Sequence, residues 1–187
     1  EIARVEDGRE VVKILKRHGL WDNKDNWCPV GAKPGESFDT NNHAIIGNQQ
    51  SNPANALVEK LVNCGDSALL LKCYENNIDP KGARAPKNVR VAVERFLGAK
   101  DGRWINVSNS TAAQLGKKYC SLVVTGEKGK GANPTYTIID SAEGQHPDDF
   151  YKTFVSLTRR NKVDVNFVQG KFGMGSFGAV NFCTVEG

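Results

Sequence analysis

Residues 53–68 read PANALVEKLVNCGDSA, and their pattern carries most of the information about this chain. Proline suits the first turn of a helix, so the stretch predicts a helix from Ala54 to about Cys73. Glu59, Asn63 and Asp66 are spaced i, i+4 and i+7, which places them on one narrow stripe of that helix. Apolar side chains lie on the opposite side: Leu57, Leu61 and Ala68, with Val58 beside them.

The polar stripe has two interpretations. An amide oxygen is a hard, neutral ligand for Mg²⁺, which makes Asn63 a candidate metal ligand. Glu59, one turn earlier, is placed to polarise a water molecule held near that metal. The alternative is a solvated face on a surface helix, and the helix taken alone favours this alternative.

A second candidate site follows the β-rich stretch Thr135–Ile139. Asp140 ends that stretch, and a carboxylate at a strand end can accept a hydrogen bond from an exocyclic amine. Gly144 lets a flat ring approach the backbone. The alternative is an ordinary aspartate turn after a strand.

A third candidate site is the run GKFGMGSFG at residues 170–178. Its four glycines allow several backbone N–H groups to point inward, as they do around a phosphate chain. The run also contains G-x-G-x-x-G at Gly173, Gly175 and Gly178, so a dinucleotide-binding domain is an alternative. That alternative requires a parallel βαβ unit around the run.

The composition of the chain limits the classes of protein and partner to be considered. The chain has 187 residues and a formal net charge of +4, which suits one domain and gives thin support for a nucleic-acid partner. Five scattered cysteines without a C-x-x-C pair favour a reducing cytoplasm over a disulfide framework or a zinc ribbon. No apolar run is long enough to span a membrane.

The order of predicted elements indicates an α+β fold. We expect helices at Arg9–His18, Ala54–Cys73, Val89–Leu97 and Phe150–Thr158, and strands at Trp104–Val107, Cys120–Thr125, Thr135–Ile139 and Val163–Val168. The pair Cys120–Thr125 and Thr135–Ile139 is predicted to form an antiparallel hairpin with a long, glycine-containing tip.

The three candidate sites, in this order along the chain, resemble the boxes of the GHKL ATPase superfamily, which includes heat-shock chaperones, the B subunit of DNA gyrase, MutL and histidine kinases. The resemblance covers Ile46 to Ala179, and it looks closest to a bacterial branch. It implies a Bergerat-type two-layer α/β sandwich, with a mixed sheet covered on one face by helices. Two departures stand out: Ala142 replaces a glycine of the second box, and the fold of the superfamily continues beyond Gly187, so we expect a domain truncated at its C-terminal end.

The resemblance also implies roles for individual residues. Glu59 would activate the attacking water, Asn63 would hold Mg²⁺, and Asp140 would bind the adenine amino group. Asp66 would support the base pocket, and Gly144 would pack under the base. The residues expected around the phosphates are Lys162, Gly170, Lys171, Phe172, Gly173, Met174, Gly175 and Ser176.

The expected function is Mg²⁺-dependent binding and slow hydrolysis of ATP to ADP and phosphate by a cytoplasmic protein. Residues 1–187 would form a single domain, with an N-terminal extension at 1–45 and an ATP lid at 145–169. Lid closure or dimerisation would follow nucleotide binding, with further domains of the same protein or a second copy as partners. The alternative is a regulatory or scaffold module that binds ATP without hydrolysing it.

Overall fold

The computed structural model of this chain describes residues 5, 8–23, 25, 52–126, 129, 134–148, 162–170, 178–179 and 182. Helices and strands both occur in this part of the chain, as the α+β prediction requires. The helices are α1 (Gly8–Arg17), α2 (Pro53–Glu75), α3 (Val89–Leu97) and α4 (Asn109–Tyr119), and the strands are β1 (Cys120–Thr125) and β2 (Thr135–Asp140).

Helix α2 is the longest element described, and its start follows from local sequence. Asn52 caps it, because the side chain accepts a hydrogen bond from the Ala54 N–H at 2.8 Å. Pro53 occupies the first helical position, where its missing N–H costs nothing. After the helix ends, the N–H of Ile78 donates to the Cys73 carbonyl at 2.8 Å and turns the chain back toward the core.

The hydrophobic core joins α2 and α3 to the segment that precedes the glycine-rich run. Its buried members are Leu69, Leu70, Cys73, Ile78, Ala92, Val93, Ala99, Val165, Phe167 and Val168. Phe167 has no exposed surface, and burying a side chain of this size contributes about 2–3 kcal/mol. The chain is therefore anchored in the core immediately before it reaches Gly170.

Strands β1 and β2 form an antiparallel hairpin in which Cys120 lies opposite Asp140 and Thr125 lies opposite Thr135. Helix α4 runs directly into β1. Its last residue, Tyr119, is buried, and the ammonium groups of Lys72 and Lys118 lie 5.7 and 4.9 Å from its ring centroid. The cation–π contact of Lys72 joins α2 to the residue that precedes β1, at the base of the hairpin.

The predictions for α1, α2, α3 and the hairpin are confirmed, and two strand predictions are wrong. Residues Trp104–Asn106 form a 3₁₀ turn, and residues 162–169 form a series of turns. Val165, Phe167 and Val168 enter the core from these turns without a described partner strand, and burial of the neighbours Phe167 and Val168 departs from the alternation that a strand would show. The predicted helix at Phe150–Thr158 lies outside the described residues.

Helix α4 was not predicted, although its N-cap leaves a signal. Ser108 accepts a hydrogen bond from the Thr111 N–H at 3.2 Å, which is the usual arrangement for a serine at this position. The apolar content of residues 109–119 is low, so periodicity gave no helix.

Two glycines after α3 lead to a prediction about stability. Gly98 and Gly102 both have a left-handed backbone (φ +70° and +61°), but a Cβ at Gly98 would meet nothing within 4 Å, whereas one at Gly102 would lie 2.3 Å from the Arg90 carbonyl oxygen. We expect Gly98→Ala to cost roughly 1–2 kcal/mol from backbone strain alone. Gly102→Ala should cost about 3 kcal/mol or more, because overlap with backbone adds to the strain.

Chemical denaturation of the two variants, with wild type as reference, measures the difference. Gly98→Ala is the matched control, since it carries the same left-handed strain without the overlap. Equal losses in the two variants would contradict the packing of the 99–102 turn on the start of α3.

Candidate functional site

Asp66 lies buried between α2 and the start of the glycine-rich run. Only 3% of the residue is exposed, and both carboxylate oxygens accept hydrogen bonds from backbone N–H groups. The Gln169 N–H lies 3.0 Å from Oδ1 and 2.9 Å from Oδ2, and the Gly170 N–H donates to Oδ2 at 2.7 Å. A solvated face is therefore the wrong interpretation for this part of the stripe.

Gly170 also packs closely against Asn63. A Cβ built on Gly170 would lie 2.5 Å from Asn63 Oδ1 and 3.3 Å from Asp66 Oδ2, so a side chain there would have to displace the Asn63 carboxamide. Glycine is favoured here by this close approach and not by backbone conformation, since Gly170 does not have a left-handed φ. Two sites more than 100 residues apart in sequence, the first and the third, thus meet directly.

The other two polar residues of the stripe are less deeply buried than Asp66. Glu59 and Asn63 are both partly exposed. Within the described part of the chain, no hydrogen bond or ion pair engages the Glu59 carboxylate or the Asn63 carboxamide. The pair therefore presents a carboxylate and an amide oxygen, one helical turn apart, beside the position where Gly170 enters.

Asp140 both closes a turn and approaches helix α2. Its Oδ1 accepts a hydrogen bond from the Ala142 N–H at 3.2 Å, so the turn role considered from sequence is present. Burial raises the pKa of the Cys64 thiol to about 12, and a hydrogen bond with Cys120 and the charge of Asp140 add to the rise. Asp140 therefore acts electrostatically on the residue next to Asn63.

This environment also settles the role of Cys64. The thiol is 5% exposed and strongly disfavours the thiolate, which is the reactive form. Cys64 is therefore a packed thiol and not a nucleophile.

Glu143 and Lys162 extend the site, and sequence reasoning had not singled out Glu143. Desolvation raises the pKa of the Glu143 carboxyl, the Lys162 ammonium opposes this rise, and the charge of Asp140 reinforces it. Lys162, predicted to contact phosphate, therefore lies within electrostatic range of the turn that follows β2. The signal that could have revealed Glu143 is its position inside the second box.

Gly144, in the turn after β2, has a left-handed backbone. Its φ is +64°, which a side chain rarely adopts, and a Cβ there would meet nothing within 4 Å. The space over Gly144 is open to a flat group. Lys171, Phe172, Gly173, Met174, Gly175 and Ser176 lie outside the described residues.

The donor set on α2 fits a magnesium ion that takes most of its ligands from phosphate and water. Mg²⁺ commonly keeps several waters and uses only one or two protein oxygens beside substrate phosphates. Asn63 supplies one such oxygen, and Glu59 lies one turn away. Among the described residues there is no group of three or more His, Cys, Asp or Glu side chains that could hold a metal ion by themselves.

Comparison with known proteins gave no match: no family model fits the chain, and neither a curated protein nor a solved structure is similar to it. Within the described ranges, none of the helices combines the length and the apolar character needed to cross a membrane.

Proposed function

We propose that this chain is an Mg²⁺-dependent ATP-binding and hydrolysing domain of the GHKL type. The observation that carries the proposal is the bonding of Asp66 to the backbone of Gln169 and Gly170. This contact brings the candidate metal ligand to the beginning of the candidate phosphate-binding run. Neither site alone is specific, but their convergence is what a nucleotide triphosphate with its metal requires.

In this proposal Asn63 holds Mg²⁺ through its amide oxygen, and Glu59 orients the attacking water and takes its proton. Phosphoryl transfer leaves a protein mainly positioning and charge to supply, so one base and one metal ligand on a single rigid helix are an adequate catalytic set. No arginine is assigned to the leaving phosphate, and we therefore expect slow turnover.

Asp140 and Gly144 supply the base site. The Oδ1 atom of Asp140 is engaged by the turn, and among the described residues Oδ2 has no partner, which leaves it for the adenine amino group. Gly144 provides the open surface under the ring. Support of the base pocket by Asp66 stays a prediction, since both of its oxygens are engaged by loop amides.

The burial of Val165 and Phe167 limits which residues of the proposed lid could move. Both are buried in the core, so the end of the 145–169 segment is fixed. Closure over the triphosphate would then hinge before Val165 and carry Lys162 toward the phosphates. The same proposal includes three further features. They are a Bergerat-type sheet larger than the described hairpin, a cytoplasmic location, and dimerisation or docking to further domains.

Calorimetric titration tests the proposal. We expect ATP and ADP to bind in the presence of Mg²⁺, ATP to bind more weakly with EDTA, and GTP to bind poorly because it lacks the adenine amino group. Stronger thermal stabilisation by NAD than by ATP would support the dinucleotide-binding alternative instead. No binding of any adenine nucleotide would contradict the proposal.

A phosphate-release assay with Mg²⁺ then separates the two nucleotide-binding possibilities. Slow release of phosphate supports an ATPase. Binding without release supports the regulatory or scaffold module, for which Ala142 in the second box is the sequence feature in favour.

A further inference from the structure

Asp66 is the one charged residue that is buried in the described part of the chain, and no step of the proposed hydrolysis uses its carboxylate. Burying a carboxylate is costly unless hydrogen bonds compensate. Among the described residues, the compensation comes from two successive backbone amides, Gln169 and Gly170, at 2.7–3.0 Å. The buried Asp66 carboxylate thus bonds to one short piece of backbone, at the start of the glycine-rich run.

Gly170 completes this arrangement from the other side. Its Cα faces Asn63 Oδ1 so closely that even one added carbon would lie 2.5 Å from that oxygen. The hydrogen bonds to the Asp66 carboxylate hold the backbone of Gly170 close to α2. The contact with Asn63 limits how closely that backbone can approach the helix. Since Asn63 and Asp66 lie on the same helix, the two contacts fix the backbone relative to one rigid element.

From these contacts we propose that Asp66 and Gly170 form a positioning lock. The lock sets the distance between the Asn63 carboxamide and the backbone from which Lys171–Ser176 continue. The inference rests on the proposed function, and it adds that the metal ligand and the phosphate-binding run are adjusted to each other by one buried carboxylate. In this inference Asp66 and Gly170 are positioning residues: they act through the placement of Asn63 and of the backbone at Gly170, in place of the base-pocket and phosphate contacts that the resemblance implies for them.

Hydrogen exchange in the ligand-free protein tests the lock without any nucleotide. Asp66→Asn keeps the shape of the side chain but turns an N–H₂ group toward a backbone donor. We expect the Gln169 and Gly170 amides to exchange roughly tenfold faster or more, because charge-assisted bonds to both are weakened. Glu75→Gln, an exposed carboxylate at the end of the same helix, is the matched control and should leave these amides unchanged.

Gly170→Ala tests the contact between Gly170 and Asn63. It also keeps the inference testable if the Asp66 variant does not fold. The added methyl group should push the Asn63 carboxamide aside and lower the melting temperature. Asn63→Ala should recover part of this loss in the double variant, because it removes the atom that the methyl group meets. Gly65→Ala is the matched glycine control on α2, where a Cβ meets nothing within 4 Å.

Nucleotide titrations of the folded variants give the readout that a purely structural role would not move. We expect Asp66→Asn and Gly170→Ala to weaken Mg²⁺–ATP binding roughly tenfold while adenosine binding is unchanged, since the base site lies elsewhere. Equal weakening of both ligands, unchanged exchange at Gln169 and Gly170, or strictly additive effects of Asn63→Ala and Gly170→Ala would overturn the lock. If wild type binds no adenine nucleotide, the proposed function fails together with the claim about phosphate, and the exchange data alone then report on the contact.

Discussion

Glu59→Ala is expected to bind ATP almost as wild type does and to release phosphate roughly 10²–10⁴ times more slowly. The expected loss is large because the proposed base has no substitute nearby on α2: the next carboxylate of the stripe, Asp66, is engaged by the Gln169 and Gly170 amides. Binding should persist because Asn63 and Asp140 are untouched. Single-turnover phosphate release and calorimetric ATP titration measure the two quantities separately.

Glu94→Ala on α3 is a suitable control, since it removes another surface glutamate from a helix outside the proposed site. Its turnover should equal that of wild type. Unchanged hydrolysis in Glu59→Ala would remove Glu59 from the proposed role. Loss of ATP binding in the same variant would show that the carboxylate acts in binding rather than in the chemical step.

Helix α2 and the hairpin could be predicted from sequence because their causes are local. Pro53 and the 3.6-residue period define the helix, and a β-rich run on each side of a glycine-containing tip defines the hairpin. Each signal lies within the element that it specifies, so no distant contact is needed to recognise it.

The turns around Val165 and Phe167 could not be predicted in the same way. A sequence that alternates apolar and polar residues is compatible with a strand, and also with turns that place its apolar side chains in a core. The presence of a partner strand decides between the two, and this is a tertiary fact. Here α2 and α3 supply the apolar surface, and the segment reaches it without described strand pairing.

The burial of Asp66 shows a different limit of sequence interpretation. Its spacing from Glu59 and Asn63 placed it correctly on the stripe, but a solvated face and a buried contact have the same spacing. Its partners are backbone N–H groups, which every residue except proline carries, so the residue types in the sequence cannot identify them. What the sequence did contain was the glycine at position 170, and its reason became clear only when Asn63 was found against it.

Asp140→Asn is expected to abolish measurable ATP binding, a loss of roughly 100-fold or more. The substitution is informative because it separates two roles of one side chain. Asparagine retains an oxygen for the Ala142 N–H, so the turn after β2 should survive. The other oxygen becomes an N–H₂ donor that would face the adenine amino group, donor against donor. Titration with ATP, beside a thermal melt, distinguishes loss of binding from loss of fold.

Asp101→Asn provides the matched control. The exposed Asp101 lies in a short 3₁₀ turn, Lys100–Gly102, and has a φ of 57°, a conformation that asparagine tolerates well. It removes the same charge far along the chain from the proposed base site and should bind ATP as wild type does. If Asp140→Asn binds ATP normally while its melt is unchanged, the carboxylate only closes the turn, and adenine recognition must be sought elsewhere. If GTP binding improves as ATP binding falls, the altered donor is read directly by the base, because guanine presents an acceptor where adenine presents its amino group.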